Sequence, residues 1–334
     1  SILRASAPAS GGKAMARAGA EARRMDESAE SQSRRLSLAH MTDDALPPQL
    51  YVLFSIASVQ LGAALATQLF ASLGPGGAAL LRVGFAAIAL LLVWRPRVLG
   101  GRYTWREYLL AALFGLALAG MNYTFYLALA RIPLGIAVTI EFVGPLGVAL
   151  AGSRRALDFL WAALAGVGIL LLAPLNLLQF AGAAHGGVAL DLLGVVFALV
   201  AGGFWAAYIL LNARVGRAFP GGGGLALAMA VGGLALLPIG ILDAGRALLD
   251  PRLLLIGLGV ALLSSIVPFS LELEALRRLP TQVFGVLLSL DPAIAALVGA
   301  LILHETLDLR AILAIACVTL AALGSSRFRK HVVQ

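Results

Sequence analysis

Residues 134 to 152 read LGIAVTIEFVGPLGVALAG, an apolar run whose single ionisable side chain is Glu141. An α-helix needs about 17 to 25 residues to cross the hydrocarbon core of a bilayer, and this run is long enough. Gly144 and Pro145 interrupt it, and a proline lacks the N–H that the helical hydrogen-bond ladder requires. The segment therefore predicts a transmembrane helix that is broken near a buried carboxylate.

Nine further apolar runs surround this one, and their ends are marked by Gly, Pro or Arg. Hydrophobic residues make up 60% of the chain and charged residues 13%, which is more apolar surface than a water-soluble protein can hide. The sequence predicts an all-α membrane protein with ten transmembrane helices. Besides 134–152, the predicted spans are 50–72, 77–94, 107–130, 156–173, 190–212, 225–242, 253–276, 281–303 and 309–325.

A weak internal repeat relates the two halves of the chain. The stretch ALARIP at 128–133 matches ALRRLP at 275–280, and at the same offset of 147 residues Pro145 meets Pro292. Each copy would hold five helices, an odd number, so the second copy must enter the membrane upside down. We therefore predict two inverted five-helix repeats, 50–174 and 190–326, joined by a linker at 175–189. Such repeats are typical of secondary transporters that open alternately to the two sides of the membrane.

The polar flanks give the expected topology. Residues 1–49 have mixed charge and few large apolar side chains, so we expect a disordered tail, and a translation start at Met41 is an open alternative. Beyond this tail, the predicted inside segments hold 13 basic residues, counting the C-terminal tail 327–334, and the outside segments hold four. The positive-inside rule then predicts both termini in the cytoplasm. Because the basic residues lie in short gaps between apolar runs, nucleic-acid binding is not expected.

The sequence offers little support for an enzyme. The single cysteine and four histidines lie far apart without metal-ligand spacing, so we expect neither a metal site nor a disulfide. Motifs of serine hydrolases, zinc proteases and phosphate-binding loops do not occur. We expect no cofactor. A channel or a non-transporting membrane protein stays an open alternative from another class.

Charged side chains inside the helices are the candidate site residues, since a charge at the bilayer centre costs roughly 2.5 to 3.5 kcal/mol on insertion scales. Glu141 is a candidate for binding a substrate ammonium group or carrying a proton; its alternative is a structural hydrogen bond to another helix. Arg82 is a candidate for binding a substrate carboxylate; its alternative is a pairing with a neighbouring helix.

The second half of the chain supplies further acidic residues. Glu272 lies deep in its run, and whether it faces a cavity stays open. Glu274 precedes Arg277 and Arg278 by three and four residues, the spacing of local ion pairs, so we expect a structural role. Asp291 stands before Pro292 at the second predicted helix break, where it either contributes to a site or caps the following helix segment.

Uncharged polar residues complete the set. Asn122 is a candidate for substrate binding. Asparagine and glutamine inside membrane helices more often join helices together, which is the alternative for Asn122 and the expected role of Gln60 and Gln68. His304 and Glu305 follow the ninth run and are expected to form a turn or a helix cap.

These residues lie in stretches that resemble the drug/metabolite transporter superfamily of the EamA type, and in particular its bacterial inner-membrane threonine and homoserine exporters. Two departures from the pattern are Asp291, where a glutamate is expected, and Glu274, where an apolar residue is expected. The stretches that carry the resemblance are GMNYTFY at 120–126, IPLGIAV at 132–138, EFVGPLGVAL at 141–150, PFSLE at 268–272, LSLDPA at 288–293 and HETL at 304–307.

The resemblance implies a secondary transporter that exports small amino acids across a bacterial inner membrane, driven by an ion gradient, with H+ as the expected coupling ion. Another small metabolite or drug is the alternative substrate. The expected partners are therefore an amino-acid-like solute, the coupling ion and the lipid bilayer.

Overall fold

A computed structural model describes residues 47–94, 103–151, 156–172, 191–219 and 222–327. Within these ranges the chain is helical and has no strand, which confirms the predicted all-α class. Six helical stretches within these ranges, some made of two consecutive helices, are long and apolar enough to cross a membrane, and three shorter apolar helices accompany them. The helices are α1 (Pro48–Trp94), α2 (Trp105–Leu129), α3 (Leu134–Glu141), α4 (Val143–Ala151), α5 (Ala156–Leu172), α6 (Leu192–Ala218), α7 (Gly223–Ala244), α8 (Pro251–Ala261), α9 (Val267–Arg278), α10 (Thr281–Leu288), α11 (Asp291–Ile302) and α12 (Leu309–Arg327).

The first two predicted runs form one continuous element, α1, which changes direction at Gly74. The φ and ψ angles of Gly74 are 65° and 170°, a left-handed conformation that a residue with a Cβ atom rarely adopts. Pro75 then opens the second limb, a position where its missing N–H does no harm. The N–H of Gly76 donates to Asp243 of α7 at 2.9 Å, so a side chain from the second half caps this limb. The predicted gap at 74–76 is therefore a kink at a single residue.

The fourth and ninth predicted spans are each broken in two. Phe142 separates α3 from α4, and Ser289 with Leu290 separates α10 from α11. Each break lies three residues or fewer before a proline, because Pro145 and Pro292 provide no N–H for the carbonyl groups one turn earlier. The sequence predicted a break near each proline but placed it at the proline itself. Both breaks lie at the offset of 147 residues that the sequence repeat has.

The eighth predicted span contains a π-helical turn, Leu262–Ile266, between α8 and α9. Pro268 follows this turn and leaves the carbonyl groups of Leu263 and Ser264 without a helical donor. Other helices supply the missing donors: the Ser58 hydroxyl donates to the Leu263 carbonyl at 2.7 Å, and Arg82 donates to the Ser264 carbonyl at 3.3 Å. This turn was not predicted from the sequence.

Helices of the two predicted halves pack against each other and share one core. α1 packs against α7, α8 and α9, α2 packs against α6 and α7, and α3 packs against α11. Many of the buried residues are alanine or glycine, which allows close approach of the helix backbones. The predicted tail up to residue 46, the linker 175–189 and the C-terminal segment after residue 327 lie outside the described residues.

Candidate functional site

Two adjoining cavities, of about 480 and 140 Å³, lie among the helices. Arg82, Asn122, Glu272 and Asp291 line both of them, and Glu141 lines the smaller one. The five side chains come from α1, α2, α9, α11 and α3. The structure therefore brings together every site residue that the sequence singled out. Of the two prolines at the breaks, Pro145 lines the larger cavity, whereas Pro292 is buried and lines neither cavity.

Glu141 is the last residue of α3, and its side chain is only 7% exposed. None of the described residues donates a hydrogen bond to its carboxylate or forms an ion pair with it. Its electrostatic neighbours are Asp291, of the same sign, and Arg82, of the opposite sign. The alternative of a structural hydrogen bond is therefore not realised within the described part of the chain. A buried carboxylate without a partner needs a proton or a bound cation.

A glycine contact holds the backbone at the α3–α4 break. Gly202 of α6 lies so close that a Cβ atom there would be 2.6 Å from the carbonyl oxygen of Glu141. In return, a Cβ atom on Gly144 would collide with the carbonyl oxygen of Gly202. Only residues without a side chain permit this crossing, and it fixes the position of Glu141 against α6.

Glu272 and Asp291 each have one hydrogen-bond donor from the first limb of α1. The hydroxyl of Ser55 donates to Glu272 at 2.8 Å, and the Nε2 of Gln60 donates to Asp291 at 2.7 Å. Asp291 is the first residue of α11, whose N-cap is Leu290, and the hydrogen bond of the Asp291 side chain is the one from Gln60 rather than from the backbone of that helix. The capping alternative for Asp291 is thus wrong, and Glu272 does face the cavity.

Arg82 supplies the positive charge at the cavity. Its guanidinium donates to the Ser264 carbonyl at 3.3 Å and to the Tyr126 hydroxyl at 3.5 Å, and its central carbon lies 5.7 Å from the centre of the Tyr126 ring. No acidic side chain among the described residues forms an ion pair with it. A guanidinium has five N–H donors, so donors remain for an anionic group in the cavity. Arg82 thus contacts neighbouring helices and also lines the cavity, and the binding of a substrate carboxylate stays a prediction.

Acidic side chains elsewhere in the described part of the chain have structural tasks. Glu274 pairs with Arg277 at 3.4 Å and with Arg278 at 2.5 Å, as predicted. Glu305 accepts from the Leu134 N–H at 2.9 Å, so the predicted cap serves α3. Further helix caps are formed by Glu107, Asp191, Asp243, Asp250 and Asp308. A hydrogen bond from Arg131 also lowers the pKa of Asp191. The three carboxylates at the cavities differ: within the described part of the chain, Glu272 and Asp291 each accept one hydrogen bond from α1 and Glu141 accepts none.

Sequence reasoning missed several residues that build the site. Ser55 and Asp243 are ordinary polar residues in their runs, and nothing in the sequence names their partners. Trp205 and Tyr208 line the larger cavity, but aromatic residues in apolar helices carry no distinguishing signal. Gln60 was expected only to join helices; it does so through Asp291 and also lines the smaller cavity.

Comparison with known proteins gives the family. The chain is 42% identical over 279 residues to proteins named "Threonine/homoserine exporter RhtA" from Salmonella typhimurium (strain SL1344) and Escherichia coli (strain K12), covering 84% of this chain and 91% of each relative. The family model described as "EamA-like transporter family" matches residues 192–327. The chain belongs to the EamA-like transporter family. This EamA-like protein is therefore a multi-pass membrane protein of a transporter family, as predicted, and not an enzyme.

A solved crystal structure supports the same fold. It has a TM-score of 0.56 to this EamA-like chain, with 17% identity, and the match covers 83% of this chain and 95% of the other. At that identity the match shows a shared fold alone.

Proposed function

We propose that this protein is a secondary active transporter that exports small amino acids of the threonine and homoserine kind across the bacterial inner membrane in exchange for protons. The observation that carries the proposal is the grouping of one guanidinium and three carboxylates around the smaller cavity, which adjoins the larger one, inside a transporter of this family. The names of the relatives support this substrate class.

An amino-acid zwitterion fits the charges of the cavity. Arg82 binds the substrate carboxylate, since a guanidinium matches a carboxylate with two parallel hydrogen bonds. Glu141, Glu272 and Asp291 offer acceptors for the ammonium group. The larger cavity, about 480 Å³, lies within the range of small-molecule sites, roughly 300 to 1,000 Å³.

Glu141 is the proposed coupling residue. Its carboxylate has no partner among the described residues, so in an apolar environment it takes up either a proton or the substrate ammonium group. The two ligands compete for one group, and the exchange of one for the other at opposite sides of the membrane is proton antiport. Export then follows from the inward proton gradient of the bacterial inner membrane.

The proposed topology is ten spans in two inverted halves, with both termini in the cytoplasm. The helix breaks at matching positions support it, as do Pro133 and Pro280, which stand as equivalent N-caps of α3 and α10. The larger cavity extends to Leu276 and Phe284, beside the turn between α9 and α10. That end of the bundle carries Arg277 and Arg278, which the positive-inside rule assigns to the cytoplasm. A cavity open to the cytoplasm is what an exporter offers when it loads substrate, and rocking of the halves would open it outward.

Flux measurements in reconstituted vesicles test the proposal. We expect labelled threonine to leave the vesicles faster when the outside is made acidic, and unlabelled threonine preloaded in the vesicles to accelerate labelled uptake. Gradient-driven flux without such counterflow would indicate a channel instead. Absence of flux for any amino acid would contradict the proposed substrate class and leave another metabolite or drug as the candidate.

The substitution Glu141→Gln tests the coupling role. It keeps the shape of the side chain but removes the charge and the titratable proton, so we expect gradient-driven threonine flux to fall at least about tenfold while the protein still inserts. Glu274→Gln is the matched control, because it also removes one carboxylate from an apolar helix but lies outside both cavities. We expect the threonine flux of this variant to change little. Wild-type flux and wild-type pH dependence in Glu141→Gln would transfer the coupling role to Glu272 and Asp291.

A further inference from the structure

Two buried amide side chains line the smaller cavity beside Glu141. Gln60 comes from the first limb of α1 and Asn122 from α2, and their residues are only 2% and 3% exposed. Polar groups this deep in a helical membrane protein are expected to have all their hydrogen bonds made, because neither lipid nor apolar side chains can replace them.

The amide groups of both residues have a fixed orientation. Gln60 donates through Nε2 to the Asp291 carboxylate at 2.7 Å, and Asn122 donates through Nδ2 to the Leu118 carbonyl at 2.8 Å. A carbonyl oxygen can only accept, so the nitrogen of Asn122 must face Leu118; the nitrogen of Gln60 likewise faces Asp291 whenever that carboxylate is ionised. The Oε1 of Gln60 and the Oδ1 of Asn122 consequently point elsewhere, and neither has a hydrogen-bond partner within the described part of the chain.

We infer that Gln60 and Asn122 determine specificity, and that their free oxygens accept hydrogen bonds from the side-chain hydroxyl and the ammonium group of a hydroxylated amino acid. This inference rests on the proposed function. A hydroxyl has one hydrogen to donate, so it satisfies one oxygen, and one hydrogen of the ammonium group satisfies the other. The remaining ammonium hydrogens face the carboxylates, which bind a cation more strongly than a neutral amide oxygen does.

The lining of the smaller cavity fits a ligand with one polar tip. Apart from the polar residues already named, it is formed largely by apolar side chains, including Ile56, Val59 and Val138. A cavity of about 140 Å³ with such walls holds the short carbon chain of a small amino acid, and the two amide oxygens are acceptors that a hydroxyl can satisfy and a methyl group cannot.

Valine tests whether the site recognises the hydroxyl, because valine has nearly the shape of threonine with a methyl group in place of the hydroxyl. Bound valine would leave a buried amide oxygen without a donor. Sites built to hydrogen-bond a hydroxyl discriminate strongly against analogues that lack it, whereas an apolar pocket separates such isosteres weakly. We therefore expect the wild-type protein to prefer threonine over valine by at least about tenfold.

The test is competition in threonine counterflow, with unlabelled threonine or valine as competitor in reconstituted vesicles. Asn122→Leu keeps the side-chain volume and removes the free oxygen, so we expect the threonine preference to fall to about threefold or less, with valine competing better than before. Gln60→Met keeps the side-chain volume and removes the free oxygen of Gln60, so it should also lower the preference for threonine. If Asn122→Leu does not fold, Gln60→Met alone tests the inference.

Thr124→Val is the matched control. Thr124 lies two residues further along α2, and its hydroxyl also donates to a carbonyl four residues earlier, that of Gly120, at 2.7 Å. It lines neither cavity, so the threonine preference should be that of the wild type. An unchanged preference in Asn122→Leu and Gln60→Met, in protein that still transports threonine, would overturn this inference alone. A wild-type protein that moves no amino acid would overturn it together with the proposed function.

Discussion

The contact between Gly202 and the backbone of Glu141 makes a prediction with a control built into the chain. A Cβ atom added at Gly202 would lie 2.6 Å from the carbonyl oxygen of Glu141, whereas one added at Gly203 would meet nothing within 4 Å. The two glycines occupy successive positions of α6. Alanine at either position adds the same methyl group in two different environments.

The structure gives the expected size of the effect. Ordinary van der Waals contact begins at 3.4 Å, so Gly202→Ala requires the backbones of α6 and α3 to separate by about 0.8 Å. The oxygen belongs to the backbone, so no side chain can rotate away to relieve the contact. Overpacking of this kind costs about 1 to 3 kcal/mol. Gly203→Ala extends into open space, and we expect its free energy of unfolding to change by no more than about 0.5 kcal/mol.

Thermal unfolding in detergent and threonine counterflow in vesicles measure the two consequences. Gly202→Ala should lower the Tm by at least about 3 °C. Counterflow should fall about fivefold if moving Glu141 relative to the cavity raises the barrier to transport by about 1 kcal/mol. Gly203→Ala should match the wild type in both assays. If the two variants behave alike, the crossing of α6 and α3 does not position Glu141, and the role assigned to Gly202 is wrong.

Two further predictions follow from the proposed topology and from the tail. On a background without Cys317, a cysteine placed at Ser153 should react with an impermeant thiol reagent only from the cytoplasm. A cysteine placed beside His304 should react only from outside. Labelling of both from one side would contradict the inverted repeat. A chain that begins at Met41 should insert and transport as the full chain does, because residues 1–40 have too little apolar surface to pack, and a loss of stability or flux would give the tail a role.

The helical class and the location of the helix breaks were predictable from the sequence, because both follow from local chemistry. Apolar runs of membrane-spanning length form helices in lipid, where every backbone group must be paired internally. Pro145 and Pro292 each lack the N–H that continues the helical hydrogen bonds, so a break in the helix near each proline is predictable. The break itself lies at the preceding turn, whose carbonyl group loses its donor. The breaks are therefore at Phe142 and at Ser289 rather than at the prolines.

The candidate residues were predictable for a related reason, while their partners were not. A charge in a membrane helix is costly, so Glu141, Glu272 and Arg82 stand out from the sequence wherever they point. The hydrogen bond that Gln60 donates to Asp291 joins residues 231 positions apart, and no local sequence pattern predicts it. Likewise the Ser264 carbonyl is available to Arg82 only through the π-helical turn before Pro268, a backbone feature that the sequence analysis did not foresee.

Charge balance supplies the physical reason to expect proton coupling. The smaller cavity is lined by three carboxylates, Glu141, Glu272 and Asp291, but by only one described positive charge, Arg82. A zwitterionic amino acid has no net charge, so its binding cannot remove the negative excess, and in a low-dielectric interior a proton or another cation has to bind; we propose protons. When the substrate ammonium pairs with a carboxylate, the affinity of that carboxylate for its proton falls, and by thermodynamic reciprocity the proton weakens substrate binding. Threonine added to the detergent-solubilised protein in weak buffer should therefore release protons, and Glu141→Gln should release fewer. Threonine binding without any proton release would show that substrate binding does not displace a proton, and would contradict the role of Glu141 in the proposed exchange.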